Sequence, residues 1–115
     1  MSVPSKIASL IEQLNLELSQ IEQLAMNGLN LVKLILSRFP DNARMIELFA
    51  VLTNILLFVE ISMRRIQFTV DTISSPNLSA EVIQEVGEDL SEMLGRALEN
   101  KMLAGRIVAV LEDLQ

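Results

Sequence analysis

Residues 42–73 read NARMIELFAVLTNILLFVEISMRRIQFTVDTI. Apolar side chains return at Met45, Phe49, Leu52, Leu56, Val59, Met63, Ile66, Val70 and Ile73, in steps that alternate between four and three. Such steps stay on one side of an α-helix, so the spacing predicts a helix with one continuous buried stripe. The same stretch carries a surplus. Ala50, Val51, Leu57, Phe58, Ile61 and Phe68 are apolar too and fall outside the stripe. A helix that is apolar all round needs cover on every side.

The flanking sequence repeats the pattern with less excess. Upstream, the seam runs Ile7, Ile11, Leu14, Leu18, Ile21, Ala25, Gly28, Val32, Ile35, Phe39. Downstream it runs Ile83, Val86, Leu90, Met93, Ala97, Asn100, Ala104, Ile107, Leu111, Leu114. Helix 1 is expected over 4–38, with Pro4 at its first position, Ser2 or Val3 just outside, and a stop at Phe39-Pro40. Helix 2 is expected over 42–73 with Asp41 as its cap, and Ser74-Ser75-Pro76-Asn77 breaks it. Helix 3 is expected over 79–114, capped by Ser79, with Leu78 packing on Ile83. Gly87, Gly95 and Gly105 each weaken a helix by about 1 kcal/mol relative to Ala, and a kink near Asn100 to Gly105 is one expectation.

Short connections make neighbouring helices antiparallel. The fold expected is therefore all-α, an up-down-up antiparallel bundle of three long helices forming a single domain over residues 1–115. Two other helices shield about half of helix 2, so dimerisation into a larger helical bundle is expected to complete the cover. The interface expected is Val51, Leu57, Phe58, Ile61 and Phe68. Burying such side chains is worth about 1.5–3 kcal/mol each, and a contiguous patch of them marks an interface.

Composition agrees with an aliphatic helical core. Half of the 115 residues are hydrophobic but only 3% are aromatic, all of them Phe. The net charge of −6 repels phosphate backbones, so neither nucleic acid nor an anionic bilayer is an expected partner. Residues 48–59 are free of charge between Glu47 and Glu60. Spanning a bilayer takes about 20 apolar residues, so no transmembrane segment is expected. No basic stretch followed by an apolar one opens the chain, and a cytoplasmic location is the expectation.

The side chains that carry most chemistry are missing. There is no His and no Cys, which removes imidazole bases, thiol nucleophiles and the usual zinc ligands. No glycine-rich phosphate loop is present. The residues therefore point to a non-enzymatic interaction protein (an adaptor, scaffold or regulatory subunit) without cofactor or metal, working by homo-oligomerisation and helix-face binding. A protein partner also has a candidate surface, an acidic stripe of Glu81, Glu85, Glu88, Glu92 and Glu99 on the outside of helix 3. A charge run of this kind is usually a solvated face, its early carboxylates complementing the helix dipole. Two alternatives follow from other features. Six Met residues in a soft aliphatic core suit a chaperone-like or lipid-responsive bundle that takes an amphipathic ligand. Glu85, Glu88, Asp89 and Glu92 lie close in sequence, as a magnesium-dependent helical hydrolase would need. Asn100 in the seam is a candidate for setting register, and Arg64-Arg65 is placed to pair with Glu60 or with an outer carboxylate.

Overall fold

The computed structural model describes residues 4–114, so Ser2 and Val3 lie outside the described residues. Three α-helices make up the fold: α1 (Ser5–Arg38), α2 (Ala43–Ile73) and α3 (Ala80–Asp113). There is no strand among the described residues.

Local chemistry sets each boundary. Pro4 occupies the cap of α1, where its carbonyl accepts from the backbone N–H groups of Ile7 and Ala8 at 3.1 Å. α1 stops at Arg38 because Phe39 precedes Pro40 and leaves the helical region. Phe39, the last member of the expected seam, is consequently exposed. The cap of α2 is Asn42 and not Asp41. The chain closes a turn in which Asn42 N–H donates to Phe39 O at 3.1 Å, and this sets Asn42 Oδ1 to accept from Met45 N–H. Ser79 Oγ accepts from Val82 N–H at 3.2 Å to start α3, with Leu78 and Ile83 half-buried against the core.

α3 runs unbroken through Asn100 to Gly105. Asn100 Nδ2 donates to Arg96 O one turn back, at 2.9 Å, so its half-buried amide is satisfied within the helix. Arg64 and Glu60 form the expected pair at 2.6 Å.

The bundle is a rod of 58 × 19 × 16 Å. Its radius of gyration is 17.6 Å, against about 13 Å for a globule of this length. α1 packs along both other helices, whereas α2 and α3 touch one another least. Along the axis the core is closed by fully buried Leu14, Leu18, Ile21, Val32, Leu52, Val59, Leu90 and Leu111. This arrangement corrects the seam expected in α2. The buried residues are Met45, Leu48, Leu52, Ile55, Val59, Ser62, Ile66 and Ile73. Phe49 and Met63 are exposed, while Leu56 and Val70 are only half-buried. Met45, Leu52, Val59, Ile66 and Ile73 keep their places, while Leu48, Ile55 and Ser62 take those of Phe49, Leu56 and Met63.

One glycine sits where the three helices converge. A Cβ on Gly28 would lie 2.9 Å from Leu52 Cδ1 and 3.5 Å from Val108 Cγ2. A Cβ on Gly87, Gly95 or Gly105 would meet nothing within 4 Å. Gly95→Ala and Gly105→Ala are therefore expected to raise unfolding free energy by about 1 kcal/mol each, the propensity difference alone. Gly28→Ala gains the same propensity but presses on a fully buried Leu52, and overpacking costs about 1–3 kcal/mol. Urea titration of the three variants should separate them: two more stable than the parent, and Gly28→Ala no better or worse.

Candidate interaction face on α2

The outward side of α2 is the largest departure from a normal soluble helix. Leu57 is 51% exposed, Ile61 49% and Phe68 74%. Ile46, which the sequence reading did not single out, is exposed on the same helix. Val51 and Phe58 differ from these three. Both are half-buried and packed against the core. A single chain thus covers part of the expected interface and leaves Leu57, Ile61 and Phe68 in water.

Polar groups on α2 are tied down locally. Thr53 Oγ1 donates to Phe49 O at 2.8 Å and Thr72 Oγ1 to Phe68 O at 2.9 Å. A hydroxyl bonded to the preceding turn offers little to water. Glu60 and Arg64 neutralise each other through their 2.6 Å contact.

Total exposed area points the same way. The chain exposes 7409 Å², about 1,100 Å² more than a compact monomer of this mass. Elongation accounts for part of that excess. The bare side chains of α2 account for another part, and a standard interface hides about 800 Å² per partner.

The other helices also carry exposed apolar residues. α1 shows Leu16, Met26 and Leu34. α3 shows Leu98, Met102, Leu103 and Val110. Leu16 and Leu34 stand among exposed Gln23, Asn27 and Asn30, and single exposed apolar residues are ordinary. Of the methionines, Met45 and Met93 fill the core, while Met26, Met63 and Met102 reach solvent.

The acidic stripe of α3 lies outward along its whole length. Glu81, Glu85, Glu88, Glu92 and Glu99 are all exposed. Arg96 donates to Glu92 at 2.9 Å and Gln84 to Glu88 at 3.2 Å. Asp89 is exposed as well and lines a groove opposite Arg64, Arg65, Phe68, Thr69 and Thr72, where α2 and α3 diverge. Among the described residues no group of three carboxylates comes together in a geometry that could hold a metal ion.

A buried carboxylate edge belongs to the α1–α3 contact. Glu17 Oε2 is shielded from water and lies 3.0 Å from Lys101 Nζ, an ion pair without the alignment of a directed hydrogen bond. The same ammonium donates to Gln20 Oε1 at 2.6 Å. This clasp ties α1 to α3, and no comparable polar tie between α2 and either neighbour is present among the described residues.

By length and composition α2 is also the one helix among the described residues that is long and apolar enough to cross a membrane. Its most apolar 18 residues have a mean hydropathy of 1.9, and a third of them are buried against the other helices. The sequence matches no protein-family model, and no curated protein or solved structure is a match to it.

Proposed function

We infer that this chain is a non-enzymatic helical interaction protein of the cytoplasm, an adaptor, scaffold or regulatory subunit that acts by associating with a second copy of itself. The observation that carries this reading is the bare apolar side of α2, where Leu57 and Ile61 stay about half exposed and Phe68 more so after the three helices have packed. Apolar area of this kind is driven out of water by association, at about 25 cal/mol per Å². A two-fold dimer is the simplest closed solution, because each copy supplies the same surface to the other. The acidic face of α3 is left free in such a dimer for a further protein partner, while the net charge of −6 disfavours nucleic acid.

Light scattering at micromolar concentration tests this directly. The expected mass is twice the 12.8 kDa of the chain. A strict monomer across that range removes the reading.

A second reading has one observation in its favour, the hydropathy of α2. In it the bundle takes up lipid or another amphipathic ligand along that helix. Glu60, Arg64 and Asn54, all exposed on α2, weigh against it, since acyl chains leave such groups unsatisfied. Flotation with neutral phospholipid vesicles distinguishes the two, for a plain dimer stays with the soluble fraction.

A further inference from the structure

We propose that α2 pairs with α2 of a second copy in antiparallel sense, about a two-fold axis level with Val59. This rests on the self-association reading above and specifies its geometry. The outward side of α2 carries a second ladder of alternating four and three steps, back to back with the buried one: Ala50, Asn54, Leu57, Ile61, Arg64, Phe68. All six are exposed. They span about 27 Å of helix at 1.5 Å per residue.

In an antiparallel pair each residue meets the one whose number completes a constant sum, and the two classes of seam position face one another. With the axis at Val59, Ala50 meets Phe68, Asn54 meets Arg64 and Leu57 meets Ile61. Every pairing is complementary. The largest side chain of the ladder lies over the smallest. The two polar residues face each other, so the amide oxygen of Asn54 can accept from the guanidinium. The two branched aliphatic residues form the centre. Other registers lose this match. Sliding by one heptad in one direction sets Asn54 on Leu57, and in the other it sets Arg64 on Ile61. A parallel pair stacks Phe68 on Phe68 and Ala50 on Ala50, a mismatch in size, and leaves Asn54 and Arg64 each facing its own copy instead of one another.

Two further features fit the antiparallel sense. Glu60 holds Arg64 at 2.6 Å, so the polar layer enters the contact neutral and the two Glu60 side chains near the axis are each compensated. The helix dipoles run in opposite directions and attract. Phe58, half-buried on the margin of the face, comes close to its own copy at the axis.

The chain has no cysteine, so single introduced thiols report contacts without interference. Ala50→Cys and Phe68→Cys are made separately, then oxidised alone and as a mixture, with sedimentation run on every sample. Asn54→Cys with Arg64→Cys repeats the test on a second pair that keeps Phe68. The expected result is covalent dimer at least tenfold more abundant in each mixture than in either variant alone. Equal cross-linking of each variant alone overturns the proposal in favour of parallel pairing. Dimers by sedimentation without cross-links in any sample overturn the register but leave self-association standing. A monomeric parent chain overturns both.

Discussion

Leu52→Ala is expected to lower the unfolding free energy by about 2–5 kcal/mol, read as a shift of the urea midpoint with an unchanged slope. Leu52 has no solvent exposure, and its two methyl groups fill the space over Gly28 at the point where α1, α2 and Val108 of α3 converge. Gly28 has no side chain with which to refill that space. The cavity left behind therefore stays largely open, and the upper part of the range applies. A rod has few layers of core across any section, so one lost layer also weakens the contact between α1 and α2 on both sides of it. Leu48→Ala, 5% exposed and one turn nearer the end of α2, is the milder comparison. If Leu52→Ala unfolded at the same urea concentration as the parent, the convergence of the three helices at Gly28 would be misplaced.

The double substitution Leu57→Glu and Ile61→Glu is expected to do the opposite, abolishing association while leaving the fold of the single chain intact. Both side chains are about half exposed in the lone subunit, so a partner hides about half of each, worth about 1 kcal/mol per residue. Four such residues across a two-fold contact contribute about 4 kcal/mol, or about a thousandfold in Kd. The four introduced carboxylates add repulsion where the faces meet. Within the monomer neither residue belongs to the buried core. Sedimentation should report a monomer, and circular dichroism a helix content equal to the parent's. Loss of helix content would show that the outer face of α2 supports the subunit itself and would remove it as an interface.

The two expectations use opposite faces of one helix, and they show why α2 was harder to read than its neighbours. In α1 and α3 polar residues occupy most of the non-seam positions, so only one rotation about the helix axis buries the apolar side. α2 offers apolar side chains at adjacent positions, such as Leu48 and Phe49, Ile55 and Leu56. Neighbouring residues differ by about 100° around the helix, and the pattern alone scores either set as the seam. Packing chose Leu48, Ile55 and Ser62, putting a serine inside and leaving Met63 out. That choice depended on where α1 and α3 stand.

The three helices, the breaks at Phe39-Pro40 and Ser74 to Asn77, the Ser79 cap and the excess of apolar side chains on α2 were all determined by the sequence, because each follows from residues within a turn or two of one another. Tertiary structure alone decided that α1 is the helix flanked on both sides and that Glu17 and Gln20 reach Lys101. It also decided that Val51 and Phe58 are half sheltered, whereas Leu57, Ile61 and Phe68 are not. These depend on contacts between segments far apart in the chain. The free energy of such contacts is set by how three rods divide a limited buried surface among them, and no local spacing of residues encodes that division.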